Sequence, residues 1–114
     1  MGLNVFFIDD EPLLCEMFSE IYSSENVRIH AFSDHELALA AAEVVEIDIA
    51  FIDLRMPGLR GEKIAERLPS SVDCYLVTGE IAPEYTFNFR GVITKPFHNE
   101  TIRSIIQNKL KSLS

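Results

Sequence analysis

Two apolar runs in this chain end in carboxylates. Val5-Phe6-Phe7-Ile8 leads into Asp9-Asp10-Glu11, and Ile49-Ala50-Phe51-Ile52 closes on Asp53. If both runs are parallel strands of one sheet, these acids meet at its carboxyl edge, where open α/β sheets carry their sites. Carboxylates crowded there repel one another unless a cation stands among them. An all-oxygen set of this kind suits Mg²⁺, which is typically held by one or two carboxylates together with a phosphate. Later runs deliver Thr78 and Lys95 to the same edge. The set makes sense as a phosphoryl-transfer site. Asp53 can attack as a carboxylate nucleophile and form an aspartyl phosphate. Mg²⁺ held by Asp10 and Asp53 would neutralise the developing charge. Lys95 supplies a point positive charge for one phosphoryl oxygen, and the Thr78 hydroxyl a hydrogen bond for another.

The elements that must position these residues alternate along the chain. Asn4 to Ile8 reads as a first strand, and Pro12 suits the first turn of the helix that follows. Leu13, Leu14, Met17, Phe18 and Ile21 recur there at helical spacing. Val27 to Phe32 is a second strand, and Ser33-Asp34-His35-Glu36 a capping box. Leu37, Ala41 and Val44 give the next helix one apolar face. Asp48 to Asp53 is the third strand, followed by a Met56-Pro57-Gly58 loop and a short helix over Glu62 to Leu68 that ends before Pro69. Asp73 to Thr78 and Gly91 to Thr94 are the fourth and fifth strands. Ile102, Ile105, Ile106, Leu110 and Leu113 form the stripe of a last helix. This alternation implies parallel βαβ units. With right-handed crossovers it gives a doubly wound five-stranded sheet with helices on both faces.

Composition bounds the function. A chain of 114 residues is one domain by size, and an apolar fraction of 47% fits a folded globule. A formal net charge of −8 argues against nucleic acid and anionic membrane surfaces as partners. Cys15 and Cys74 form no C-x-x-C pair and read as small buried or half-buried apolar residues. His30, His35 and His98 share no ligand spacing, which speaks against zinc. No basic-then-apolar leader and no run of spanning length is present in the sequence. A reducing cytoplasm is the expected home.

Asp9-Asp10, then Asp53-Leu54-Arg55-Met56-Pro57-Gly58, then Thr78-Gly79-Glu80, then Lys95-Pro96-Phe97 resembles the receiver domain of bacterial response regulators over essentially the whole chain. The resemblance implies a flavodoxin-like strand order, 2-1-3-4-5. It makes Asp53 the phosphoacceptor, Asp10 a direct Mg²⁺ ligand and Asp9 a second acidic partner acting largely through metal-bound water. It gives the Arg55 backbone carbonyl as a further metal ligand. It makes Thr78 the switch hydroxyl, Lys95 the phosphate-contacting lysine and Lys95-Pro96 a cis bond. It also implies a sensor histidine kinase or histidine phosphotransfer protein as donor, and a protein partner downstream. The chemistry is self-catalysed phosphorylation and dephosphorylation rather than enzymatic turnover. With nothing after the last helix, residues 1–114 read as a single receiver domain without an output domain.

The resemblance breaks in two places. The family carries Tyr or Phe three residues before the lysine, where this chain has Val92. The stretch from Thr78 to Lys95 is short, and Pro83 with Thr86, Phe87, Asn88 and Phe89 disfavours a fourth helix there. Residues 81–90 are therefore expected to be irregular, and to carry the phosphorylation response in place of the aromatic switch.

Singly, each residue of the set has an ordinary explanation: an N-cap, a loop acid, a solvated lysine. Glu11 fits a first-turn acid, Glu80 a solvated loop acid, and Tyr85, Phe87 and Phe89 core filler by default, with a partner surface as the alternative. Two other readings compete. A haloacid-dehalogenase-type phosphatase would carry Asp-x-Asp, where this chain has Asp9-Asp10-Glu11. A receiver-shaped scaffold that ignores phosphate is motivated by Val92 and the short fourth-helix region.

Overall fold

The structure, a computed structural model, describes residues 2–113. The elements run β1 (Leu3–Ile8), α1 (Pro12–Tyr22), β2 (Val27–Phe32), α2 (His35–Ala42), β3 (Ile49–Asp53), α3 (Gly61–Arg67), β4 (Asp73–Thr78), β5 (Gly91–Thr94) and α4 (Asn99–Leu113). The five strands form one sheet in the order β2-β1-β3-β4-β5, and every pairing is parallel. This is the expected doubly wound sheet.

Sheets covered on both faces need strands that are apolar on both, and β1 and β3 show it. Val5, Phe7, Ile49 and Phe51 point to one layer, where Phe18 and Tyr22 of α1 meet Ile102 and Ile106 of α4. Phe6, Ile8, Ala50 and Ile52 point to the other, against Ala38 of α2 and Ile64 and Ala65 of α3. Cys15 and Cys74 are free and buried as expected, and burial pushes their thiols up to about 11 and about 12.

The helix faces differ from the expectation. The residues of α1 that point inward are Cys15, Phe18 and Tyr22, whereas Leu13, Met17 and Ile21 are exposed. Both sets recur at helical spacing, and only docking chooses between them. Of the expected α2 stripe, Leu37 is exposed and Val44 falls beyond the helix end, also exposed, while Ala38 is buried. Small residues let this helix approach the sheet closely. Its cap is Asp34, whose side chain accepts from the Glu36 N–H at 2.7 Å, in place of Ser33 of the expected box. The helix α3 starts one residue earlier than expected, at Gly61.

Between β4 and β5 the twelve residues 79–90 form no helix, as the weak helix formers and Pro83 predict. Phe87 and Phe89 pack against the layer under α3, and their ring centroids lie 4.9 Å apart. Without a crossover helix over it, Val92 is 41% exposed.

Candidate functional site

Parallel register brings the expected residues to one edge. Ile8 pairs with Ile52, so Asp9 and Asp53 leave neighbouring strand ends together. Thr78 pairs with Thr94, and the Lys95 N–H donates to the Thr78 carbonyl at 2.9 Å. The peptide between Lys95 and Pro96 is cis, as expected.

Asp9, Asp10 and Asp53 each offer a carboxylate oxygen, and these lie within 4.8 Å of one another. Asp9 is wholly buried and Asp53 nearly so, while Asp10 is exposed. Lys95 Nζ reaches in among them, donating to Asp9 Oδ2 at 2.5 Å and lying 3.5 Å from Asp53 Oδ1. The second oxygen of Asp9 accepts from the Glu11 N–H at 3.0 Å, which ties the start of α1 to the site. Cys15 Sγ donates to the Asp9 carbonyl at 3.2 Å. Burial pulls the Lys95 ammonium down, but the Asp9 hydrogen bond and the Asp9 and Asp53 charges outweigh it and leave the ammonium raised. The cation is firmly held.

Asp53 behaves differently. Burial raises its carboxyl to about 6; Lys95 opposes the rise, and the charges of Asp9 and Asp10 add to it. A buried anion with two anions nearby and one shared lysine lacks positive charge, which a hard cation would supply. The donor set, all oxygen and partly open through Asp10, fits such an ion. The sign of the linkage follows. An acid whose folded pKa lies above its ordinary 3.8 is penalised once ionised. The penalty is absent below about pH 4 and complete above about pH 6. Urea unfolding of the metal-free protein is therefore expected to show stability falling as pH rises across that window. A flat profile there would contradict the placement of Asp53.

Thr78 is buried at the end of β4, and its Oγ1 accepts from the Glu80 N–H at 3.1 Å. Arg55 lies two residues after Asp53 in an exposed loop, and its backbone N–H bonds the Asp53 carboxylate. Its Nε donates to Glu80 Oε2 at 2.6 Å, so the loop after β3 and the segment after β4 meet across the mouth of the site. Glu80, expected to be a solvated loop acid, is thus a partner of both Arg55 and Thr78. Glu62 was not singled out from the sequence at all. Its carboxylate is buried and holds Thr86, 24 residues away. No local spacing signals a contact of that range.

The family model described as "Response regulator receiver domain" matches residues 5–107. The chain belongs to that family. Receiver domains serve response regulators in two-component signalling, as phosphoacceptors rather than turnover enzymes. The positive alginate biosynthesis regulatory protein of Pseudomonas aeruginosa is 30% identical over 114 aligned residues, which cover 92% of this chain and 46% of that protein. The chain thus spans about half the length of the curated relatives it matches. Among solved structures, the signal receiver domain of an HD domain-containing protein from Pseudomonas fluorescens superposes with a TM-score of 0.87 at 15% identity, covering 98% of this chain and 97% of that one. The receiver domain of a sensor histidine kinase from Pseudomonas aeruginosa gives 0.82 at 18% identity, covering 97% and 99%; that structure has a magnesium ion coordinated in its active site cleft. At such identities the likeness shows the fold. Among the described residues, no helix is long and apolar enough to cross a membrane.

Proposed function

We propose that this receiver domain takes a phosphoryl group from a phosphohistidine donor onto a carboxylate oxygen of Asp53, and that the new charge switches a protein-binding face. The observation that carries this reading is the meeting of Asp9, Asp10 and Asp53 oxygens within 4.8 Å, with Lys95 Nζ bridging Asp9 and Asp53. In the transfer, an Asp53 oxygen bonds to phosphorus as the phosphorus–nitrogen bond breaks. The electron pair returns to the imidazole nitrogen of the donor. Asp53 attacks as the carboxylate, so the reaction runs on its ionised form. Lys95 stands ready to pair with a phosphoryl oxygen, and the Thr78 hydroxyl to donate to another. Asp9, Asp10, Asp53 and the Arg55 carbonyl would hold Mg²⁺, which supplies neutralisation of the phosphoryl charge.

The donor needs a surface beside the site, and α1 offers one. Its exposed Met17 and Ile21, with Leu14, line a groove of about 450 Å³ that ends at Lys95 and Phe97. An apolar face next to the acceptor carboxylate suits docking of a helical phosphohistidine donor, a histidine kinase or phosphotransfer protein.

Incubation with acetyl phosphate, with and without Mg²⁺, followed by intact-mass analysis tests the reading. One Mg²⁺-dependent phosphoryl adduct is expected; an adduct that forms equally well in excess chelator would contradict it. Asp10→Asn removes one ligand charge at the open side of the cluster. It is expected to weaken Mg²⁺ binding on the order of tenfold or more, as loss of one charged contact implies. A magnesium titration that this exchange leaves unmoved shows the ion to be elsewhere.

The exposed Val92 favours one second reading, a receiver-shaped scaffold whose partner ignores Asp53. A partner that binds the phosphorylated and unphosphorylated forms equally would support it.

A further inference from the structure

The segment after Thr78 is fastened to the chain after Asp53 at three places in matching order. Arg55 Nε donates to Glu80 Oε2 at 2.6 Å, and Arg60 Nη2 to the Glu84 carbonyl at 2.9 Å. Glu62 Oε2 then accepts from the Thr86 N–H at 2.6 Å and from Thr86 Oγ1 at 2.8 Å. The other Glu62 oxygen accepts from Arg60 Nε at 2.9 Å, so the last two fastenings share one ion pair. Two chain segments, one leaving the phosphoacceptor and one leaving the switch threonine, run side by side like a clasp.

Glu62 is the strongest point of it. The carboxylate is buried on the first turn of α3. The Thr86 amide, the Arg60 guanidinium and the Thr86 hydroxyl hold its pKa down at about 2, so it is charged under all ordinary conditions. Hydrogen bonds to an ionised group are roughly twice as strong as neutral ones. The segment itself has little else to keep its backbone in place. Beyond these contacts, the Phe89 N–H donates to the Phe87 carbonyl at 3.1 Å and the Arg90 N–H to Cys74 at 2.8 Å. What the clasp closes over is aromatic: Phe87 and Phe89 lie against the sheet, with Tyr85 packed edge-on to Phe89.

We propose that Glu62 is a latch that sets the balance between a closed and an open Tyr85–Phe89 strap, and that a phosphoryl group on Asp53 tips this balance toward open. The second half rests on the reading of Asp53 as phosphoacceptor. A phosphoryl group carries about −1.5 to −2 charge at neutral pH, more than the single charge of Glu80, and competes with it for Arg55. It also draws the Thr78 hydroxyl toward itself as a donor, and that movement pulls the Thr78 oxygen away from the Glu80 N–H it now accepts from. Both changes unfasten the near end. The remaining fastenings of the clasp are those of Glu62 and Arg60, and Glu62 decides how readily the aromatic face is released to a partner.

The test is amide hydrogen exchange at Thr86, read by NMR, for the wild type, Glu62→Gln, Thr86→Val and Thr86→Ser. Each is measured before and after treatment with acetyl phosphate and Mg²⁺, with intact mass recorded on every sample. Glu62→Gln sets an N–H donor against another donor while keeping the shape, and residue 86 is expected to exchange on the order of tenfold faster or more. Thr86→Val removes the hydroxyl donor and is expected to speed exchange at that same amide; should Glu62→Gln fail to fold, it probes the latch from the opposite side. Thr86→Ser keeps both donors and should match the wild type. In the phosphorylated wild type the Thr86 amide should approach the rate of unmodified Glu62→Gln, and phosphorylating Glu62→Gln should add little. Slow exchange persisting in Glu62→Gln overturns the latch. So does an unchanged rate in wild-type protein whose mass shows the adduct. A wild-type sample lacking the adduct counts against the Asp53 reading instead, and the unmodified variants still decide whether Glu62 holds the strap.

Discussion

The Asp53→Asn protein, held in excess acetyl phosphate and Mg²⁺, is expected to acquire no phosphoryl group and to be more stable than the wild type without metal. The two effects share a cause. Burial and the charges of Asp9 and Asp10 hold the Asp53 carboxyl at about 6 against an ordinary 3.8, even with Lys95 beside it. Keeping that group ionised at neutral pH costs the folded state up to about 3 kcal/mol. Asparagine keeps the shape, removes the charge and removes the proposed nucleophile. The melting temperature without metal should rise by on the order of 10 °C, the scale for a domain this small. The fall in stability between about pH 4 and about pH 6 should vanish with it. Calorimetry across that range and intact-mass analysis check the pair. Retention of the adduct in Asp53→Asn moves the phosphoacceptor to another residue.

Gly61→Ala is expected to damage fold and site together. A Cβ at this position would stand 2.2 Å from the Asp53 carbonyl oxygen and 2.9 Å from its carbon, both backbone atoms that no rotamer can clear. The Gly61 N–H donates to the Leu54 carbonyl at 2.9 Å, which brings α3 directly onto the end of β3. Relief requires moving α3 or the strand end that carries Asp53. Overpacking of this kind costs about 1–3 kcal/mol, at times more. The melting temperature should drop by at least ~5 °C, and phosphoryl uptake should slow because Asp53 no longer lines up with Asp9 and Asp10. A Gly61→Ala protein with wild-type melting and wild-type uptake would show that α3 sits farther from β3 than described.

The sheet and the site edge were legible because their signals are local and repetitive. Apolar runs such as Val5–Ile8 and Ile49–Ile52 suit strands buried on both faces, and each ends in its acid within a residue. Parallel pairing then carries Asp9, Asp53, Thr78 and Lys95 to one edge without further information. Helix faces were less legible. Leu13, Met17 and Ile21 have the periodicity of a buried stripe, yet α1 turns Cys15, Phe18 and Tyr22 inward, because aromatic bulk fills the layer shared with Phe7 and Phe97. The irregular crossover could be anticipated from Pro83 and poor helix formers. What stabilises it could not, since Glu62 and Thr86 announce nothing about each other in sequence.

That crossover also bears on how the fold can change over generations. A helix carries its own backbone hydrogen bonds, so it needs no side chain from elsewhere to satisfy its peptide groups. Residues 79–90 instead have backbone groups bonded by the Arg60 and Glu62 side chains, with a side-chain pair between Arg55 and Glu80 beside them. Entropy did not impose this economy, because doubling the length of a flexible connection costs only about 0.6 kcal/mol. An insertion long enough to form a helix there would satisfy the backbone internally and make Glu62 dispensable for that purpose. A substitution that removes the carboxylate of Glu62 or the hydroxyl of Thr86 therefore breaks bonds that join the start of α3 to the approach to β5.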